Sequence, residues 1–273
     1  MRVLVTGASG QLGSEVVRCL RGIRMDVRGV NREDFDVRDV DAVHAAVAEA
    51  QPDAIVHCAA YTDIRRAETE PELCAEVNAM GTLNMARAAL RANSKLLYVS
   101  TARVFPGEGA VPYEPTDRPA AKTVYGLSKA QGEEAIRGLM TRYFILRTSW
   151  LYSEATPRLR ELTRLAAEGR AVTAMEDMIA SPTWAPDLAR LIADMLRTER
   201  YGTYHAAGEG ACTPAGFAQM AVQLLGSRSQ VRPEAPAHMP LNGRLDCRAL
   251  EQAGFRRLPS WEESLSGCLS GQM

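Results

Sequence analysis

Apolar runs alternate with amphipathic segments along the first 150 residues of the chain. Short runs rich in β-branched residues, typical of buried strands, occur at 2–6, 27–30, 54–59, 96–100 and 144–149. Between them, apolar residues recur at three- and four-residue steps, which predicts helices at 11–20, 41–50, 72–92 and 125–140. This alternation predicts an α/β fold, a Rossmann-type doubly wound parallel sheet flanked by helices.

The pattern loosens after Trp150, where seven prolines between Pro157 and Pro240 separate shorter elements. We expect helices at 187–197 and 214–225, a strand at 203–207 and a long irregular connection at 226–241. The chain is therefore divided into a sheet domain at 1–150 and a smaller α+β lobe at 151–273, some segments of which return to pack on the sheet domain. Ligands of open parallel sheets lie beyond the carboxyl ends of the strands, so this lobe is expected to cover that crevice and bind substrate.

Composition and charge exclude several classes of protein. With 46% hydrophobic and 24% charged residues, the 273-residue chain has the composition of a soluble globular protein. The net charge of −1 argues against nucleic acid as a partner. The longest apolar runs are too short to cross a membrane and no leader is evident, so no membrane partner and a cytoplasmic location are expected. Six scattered cysteines have no zinc-like spacing, and no metal site is predicted.

A glycine-rich turn lies between the first strand and the first helix. Gly7, Gly10 and Gly13 are spaced as in dinucleotide sites, which need glycines for a tight turn, for close approach of the pyrophosphate and for helix–strand packing. The N-terminus of the following helix favours the negative charge of the phosphates. We therefore predict a dinucleotide site that includes these glycines together with Gln11 and Leu12.

The residues that follow the second strand indicate which of the two nicotinamide dinucleotides is preferred. A carboxylate there accepts a hydrogen bond from the ribose 2′-hydroxyl of NAD, whereas a basic residue accommodates the 2′-phosphate of NADP. Here the strand is followed by Asn31 and Arg32, which favours NADPH. Glu33 and Asp34 follow closely and keep NADH open as an alternative.

A tyrosine and a lysine are spaced for proton transfer. Tyr125 and Lys129 lie one turn apart on the same face of a predicted helix. A nearby cation stabilises phenolate and lowers the tyrosine pKa from about 10, so that the phenol exchanges a proton nearer neutrality. Ser100 and Thr101 end the preceding strand. A hydroxyl group at this position is expected to hydrogen-bond the carbonyl oxygen of a substrate together with Tyr125.

These motifs resemble the short-chain dehydrogenase/reductase superfamily in its extended form, which acts on sugar nucleotides. More of the chain resembles one branch, the dTDP-4-dehydrorhamnose reductase family. The resembling segments span nearly the whole length and lie at 7–15, 59–62, 67–68, 77–79, 100–101, 104–105, 125–129, 147–152, 181–183, 202–205 and 259–262. The resemblance implies NADPH-dependent reduction of the 4-keto group of a nucleotide-activated, dTDP-type 6-deoxyhexose in deoxysugar biosynthesis.

The resemblance also implies roles for individual residues. Thr101, Tyr125 and Lys129 form the catalytic set, in which Lys129 also holds the nicotinamide ribose. The further residues implied on the cofactor side are Asp36 and Val37 beside the adenine, then Ala59, Ala60, Tyr61 and Asn78, the last supporting the active-site backbone. The residues expected to face the sugar are Thr62, Ile64 and Trp150. On this basis residues 1–150 are the NADP-binding domain and residues 151–273 are mainly the substrate-binding lobe.

The sequence differs from the family pattern at positions that are expected to contact the substrate. The family usually has Thr-Asp-Tyr-Val-Phe, whereas this chain has Ala102 and Arg103 after Thr101, so it loses a carboxylate and a phenol and gains a guanidinium. A second departure replaces Arg-Pro-x-x-Ser by the segment 239–243. We expect the chemistry to be kept and the substrate to differ, in the hexose or in the face attacked.

Two other functions stay open at this point. An NAD-using sugar-nucleotide epimerase or dehydratase normally requires an acid after the second strand and an acid–base pair near Thr101, but Ala102 and Arg103 supply no carboxylate. A non-catalytic, NADP-binding regulatory subunit is compatible with the lost sugar contacts, although an intact catalytic set argues against it. Whether the protein forms a homodimer also stays open.

Overall fold

A six-stranded parallel sheet forms the centre of the protein in a computed structural model, which describes residues 1–235 and 241–271. The strands are β1 Arg2–Thr6, β2 Asp26–Val30, β3 Ala54–His57, β4 Lys95–Thr101, β5 Tyr143–Thr148, β6 Leu151–Tyr152, β7 Val172–Met175, β8 Met178–Ala180, β9 Thr183–Trp184, β10 Gly202–His205, β11 Val231–Glu234 and β12 Leu241–Gly243. The helices are α1 Gln11–Gly22, α2 Val40–Ala50, α3 Ile64–Ala67, α4 Pro71–Ala75, α5 Gly81–Arg91, α6 Val124–Leu139, α7 Pro157–Ala167, α8 Ala185–Leu196, α9 Pro214–Leu224, α10 Arg248–Gln252 and α11 Trp261–Ser270. None of these helices is long and apolar enough to cross a membrane.

The strand order of the main sheet is β10-β5-β4-β3-β1-β2, and every neighbouring pair is parallel. The order reverses at β1, which has β2 on one side and β3 on the other, and such a reversal opens a crevice at the carboxyl ends of the strands. The predicted doubly wound parallel sheet is therefore confirmed.

Helices cover both faces of this sheet, which is why its strands are nearly continuous apolar runs. On one face Val3 and Val5 pack with α1, α8 and α10. On the other face Leu4 packs with α2, α5 and α6.

Residues beyond Trp150 build a second apolar core and also return to the sheet. The second core is formed by side chains of α7, β7, α9 and α11 around Phe217. In contrast, β10 pairs with β5 at the edge of the main sheet and α8 packs against α1. The predicted α+β lobe thus shares its stretch of sequence with two elements of the sheet layers.

The structure corrects two local predictions. The helical pattern at 72–92 contains α4, a π-helical turn at Glu76–Met80 and α5. The connection at 226–241 is not irregular throughout, since β11 lies within it and pairs with β7. Residues 236–240 of that connection, including Met239 and Pro240 of the second family departure, lie outside the described residues.

Candidate active site

A cleft of about 800 Å³ opens at the carboxyl ends of the central strands. The predicted cofactor residues on its wall are Gly7, Gly10, Gln11, Leu12, Gly13, Asn31, Arg32, Asp36, Val37, Ala59, Ala60, Tyr61 and Lys129. The predicted catalytic and substrate residues there are Thr62, Ile64, Thr101, Ala102, Arg103, Tyr125 and Trp150. Residues far apart in sequence therefore meet in one cavity.

The turn between β1 and α1 forms one end of the cleft. A Cβ atom on Gly13 would lie 2.0 Å from the backbone oxygen of Gly7, so a side chain there would displace the turn. Gly10 caps α1 without a side-chain hydrogen bond, which leaves N–H groups of the first turn available to an anion. The residues present therefore fit the pyrophosphate of a dinucleotide.

The loop after β2 carries arginines and a carboxylate at the edge of the cleft, at the same end as the glycine-rich turn. The Asn31 side-chain oxygen accepts a hydrogen bond from the Ser9 N–H at 2.7 Å and so ties this loop to the glycine turn. Hydrogen bonds from Arg38 lower the pKa of Asp36, which stays ionised. The Arg32 side chain is 75% exposed and approaches Asp36 only at 3.5 Å, which leaves its guanidinium available to a ligand.

Asn78 is the one predicted cofactor residue that does not line the cleft. It is buried in the π-helical turn. Its side-chain oxygen accepts a hydrogen bond from the Tyr61 backbone N–H at 2.8 Å, and its side-chain amide donates to the Tyr61 backbone oxygen at 3.0 Å. The amide also donates to the Ser128 hydroxyl of α6 at 3.0 Å. Asn78 therefore supports the cleft wall from behind, and any contribution that it makes to cofactor binding is through the backbone of Tyr61.

Thr101 and Tyr125 meet at the floor of the cleft. Thr123 caps α6 by accepting from the Gly126 N–H, which places Tyr125 in the first helical turn. Burial raises the pKa of Tyr125 to about 12, while a hydrogen bond with Thr101 and the charge of Arg103 act in the opposite direction. Tyr125 is therefore a protonated phenol at neutral pH, suited to giving a proton.

Lys129 lies one turn further along α6 and is 3% exposed. Its Nζ lies 4.0 Å from the centre of the Tyr98 ring, and no residue that the structure describes accepts a hydrogen bond from it. Burial lowers the pKa of Lys129 to about 7, which the Glu133 carboxylate opposes. The role of Lys129 toward Tyr125 stays a prediction, and the cation whose charge lowers the pKa of Tyr125 in this structure is Arg103.

Sequence reasoning missed a buried ion pair beneath the catalytic residues. Arg147 on β5 donates two hydrogen bonds to the Glu133 carboxylate, at 2.9 and 2.7 Å. Ser100, next to Thr101, donates to the same carboxylate at 2.6 Å. The pair therefore links the ends of two strands to α6, but a charged residue on a predicted helix gives no sign that it is buried.

Residues beyond β5 add to the cleft. Leu241 and Asn242, which belong to the second family departure at 239–243, line the cavity, as does the predicted Trp150. The ring centre of Trp150 lies 5.0 Å from that of Phe217 in the second core. Met178, Phe105 and Lys122 also line the cavity and were missed, because no local sequence signal marks them.

Comparison with known proteins gives a consistent assignment. The dTDP-4-dehydrorhamnose reductase of Streptomyces griseus is 36% identical to this chain, over 97% of this chain and 92% of the relative. A probable dTDP-4,6-dihydroxy-2-methyloxan-3-one 4-ketoreductase of Streptomyces antibioticus is 34% identical, over 97% and 93%. The crystal structure of dTDP-4-dehydrorhamnose reductase from Bacillus anthracis in complex with NADP matches with a TM-score of 0.95 and 34% identity, covering 99% of this chain and 98% of that chain. Residues 1–272 match the family described as RmlD substrate binding domain, and the chain belongs to that family.

Proposed function

We propose that the protein reduces the 4-keto group of a dTDP-linked 6-deoxyhexose with NADPH, in deoxysugar biosynthesis. The observation that carries this proposal is the meeting of Thr101, Tyr125 and Lys129 in the cleft that also holds the β1–α1 turn. Relatives named as reductases of dTDP-linked keto-sugars, and a relative solved with NADP, support it.

The residues at the glycine-turn end of the cleft are suited to hold NADPH. With NADPH bound, the α1 N-terminus would hold the pyrophosphate, the exposed guanidinium of Arg32 would hold the 2′-phosphate, and the donors of Lys129 would hold the hydroxyls of the nicotinamide ribose. When bound, the nicotinamide supplies the hydride. The protein contributes position and electrostatics.

Tyr125 gives the proton in the proposed reaction. The phenol is protonated at neutral pH and donates to the carbonyl oxygen as hydride reaches the carbonyl carbon. The Thr101 hydroxyl orients that oxygen and stabilises its developing charge.

The substrate side is assigned to the turn after β4, to the loop after β3 and to the segments beyond Trp150. Thr62, Ile64, Ala102, Arg103 and Trp150 line the cleft on this side. We keep residues 151–273 as mainly the substrate-binding part of the chain, with β10 and α8 serving the sheet.

A homodimer is the assembly that we propose. Met80 of the π-helical turn and Leu127 of α6 are 51% and 52% exposed on neighbouring elements. We propose that these two side chains take part in the contact between the two copies. Light scattering of the protein and of the Leu127→Glu variant tests this, since a monomeric wild type would contradict it.

The deciding experiment for the function is NADPH absorbance decay with dTDP-4-dehydro-L-rhamnose, with NADH in parallel. We expect oxidation of NADPH, loss of turnover by about 10²-fold or more in Tyr125→Phe, and unchanged NADPH affinity in that variant. Tyr204→Phe is the matched control, because its hydroxyl donates to the Arg200 oxygen and does not line the cleft. Substantial activity in Tyr125→Phe contradicts the role of Tyr125, and tight NADPH binding without oxidation of any keto-sugar tested favours the regulatory alternative.

A further inference from the structure

Arg103 carries a guanidinium group into the cleft without a counter-ion. The residue is half-buried, lines the cavity, and forms no ion pair with any residue that the structure describes. Lys122 on the same wall is paired with Glu108. A guanidinium is always charged and has only donors, so a partly buried one without an acceptor is placed to act on negative charge in the site.

The turn that bears Arg103 is fixed against both catalytic hydroxyls. The Arg103 N–H donates to the Thr101 hydroxyl oxygen at 3.2 Å, and that hydroxyl is hydrogen-bonded to Tyr125. On the other side, a Cβ atom on Gly126 would lie 2.1 Å from the Arg103 backbone oxygen, so the turn lies directly against α6 next to Tyr125. The backbone of Arg103 is therefore held at a set position beside the first turn of α6, which bears Tyr125.

The groups around Tyr125 differ in charge. Its own helix supplies Lys129, α4 supplies the Cys74 thiol, β4 supplies the Tyr98 phenol, and Glu68 lies close by, accepting from the Val124 N–H. Among these neighbours of Tyr125, the cation whose charge favours the phenolate form is Arg103. Lys129 has a pKa of about 7 and is only partly charged near neutrality.

We propose that Arg103 is a second cation of the reaction centre, which stabilises the negative charge left on Tyr125 when its proton passes to the substrate. The inference rests on the proposed function. In that step hydride adds to the carbonyl carbon, the carbon–oxygen π electrons form an O–H bond with the Tyr125 proton, and Tyr125 is left as phenolate until solvent reprotonates it. Arg103 acts through Tyr125 and is therefore a positioning residue.

The ionisation of residue 125 tests the inference without any substrate. Replacing Tyr125 by 3,5-difluorotyrosine gives a more acidic phenol, whose titration in the full chain is followed by fluorine NMR. We expect Arg103→Gln to raise the midpoint by about one pH unit, because removal of a nearby opposite charge has this effect. Arg103→Lys should restore most of the shift, and Lys122→Gln, which removes a paired cation of the same wall, should leave the midpoint unchanged.

Steady-state kinetics of variants that keep the native Tyr125 provide a second test of the inference. Arg103→Gln and Arg103→Tyr should lower kcat about tenfold, as one pH unit corresponds to a factor of ten, with NADPH affinity unchanged. An unchanged midpoint in Arg103→Gln overturns the inference, whatever the rates are. If the wild type fails to oxidise NADPH with keto-sugars, the proposed function fails, while the NMR titration still decides whether Arg103 controls the charge of residue 125.

Discussion

Removing Arg147 should destabilise the protein more than removing any of its exposed arginines. Arg147 is 1% exposed and its partner Glu133 is fully buried, so Arg147→Met leaves a carboxylate in the interior without its main counter-charge. Breaking a buried pair in this way costs about 3–5 kcal/mol of the free energy of unfolding, whereas an exposed pair contributes about 0–1 kcal/mol. Arg137 also contacts the Glu133 carboxylate, at 2.7 Å, which places the expected cost at the lower end.

The expected change in melting temperature follows from chain length. For a domain of this size each kcal/mol shifts Tm by about 2 °C, so a cost at the lower end, about 3 kcal/mol, should lower Tm by about 6 °C in Arg147→Met. Arg164→Met is the matched control, since it removes a guanidinium paired with Glu161 on the surface of α7. That control should lower Tm by about 2 °C or less. Replacing Glu133 by Gln together with Arg147 by Met should recover part of the loss, because no unpaired carboxylate then remains in the interior.

The same prediction has a pH dependence with a defined sign. Burial alone would raise the pKa of Glu133, but hydrogen bonds and charge from Arg147 outweigh it and hold the pKa below its ordinary value. Stability from this pair is therefore present above a pH of about 4.3 and is lost as pH falls through the folded-state pKa. The Tm difference between wild type and Arg147→Met should shrink in acid. Thermal unfolding followed by circular dichroism measures it, and equal Tm losses in Arg147→Met and Arg164→Met would refute the reasoning.

Three further variants test the cofactor end of the cleft. Gly13→Ala should abolish NADPH binding in a fluorescence titration, because its Cβ would lie 2.0 Å from the Gly7 oxygen, whereas Gly22→Ala meets nothing within 4 Å and should bind normally. Arg32→Ala should weaken NADPH binding about tenfold and leave NADH binding unchanged, since a charged hydrogen bond to the 2′-phosphate is lost; equal losses for both would contradict that contact. Asn78→Ala should lower kcat more than it lowers Tm, because its amide holds the wall of the cleft; a folded variant with full activity would contradict this role.

The sheet and its cofactor end were predictable because their signals are local. Gly7, Gly10 and Gly13 lie within one turn of chain between β1 and α1, and the spacing of Tyr125 and Lys129 follows from one helix. The periodicity at 72–92 is equally local, yet a π-helical turn within a helix does not interrupt the apolar repeat. Proline was treated as a break at 157, but Pro157 occupies the first turn of α7, where its missing N–H costs nothing.

The remainder of the site depends on tertiary contacts that no window of sequence contains. Glu133 has the same polar signature as an exposed helix residue, and its burial follows only from Arg147 and Ser100 on two strands. Likewise β12 reaches the cleft through hydrogen bonds from Asn242 to the Val111 oxygen and from Ser149 to the Gly243 oxygen. The spacing placed Lys129 on the face of Tyr125, but its contact with the Tyr98 ring, at 4.0 Å from Nζ to the ring centre, depends on β4 and could not be read from one helix.

The two ends of the cleft differ in how far the fold restricts their side chains. Gly13 contacts backbone atoms of its own turn and Lys129 is held in the interior, so substitutions there disturb the sheet domain as well as the ligand. Arg103 is only half-buried, and the turn that bears it is fixed by the backbone N–H and backbone oxygen. A change of side chain at position 103 therefore alters the charge beside Tyr125 without altering the contacts that place the turn. This separation explains how a chain can keep the residues for hydride and proton transfer while the surface that meets the sugar changes.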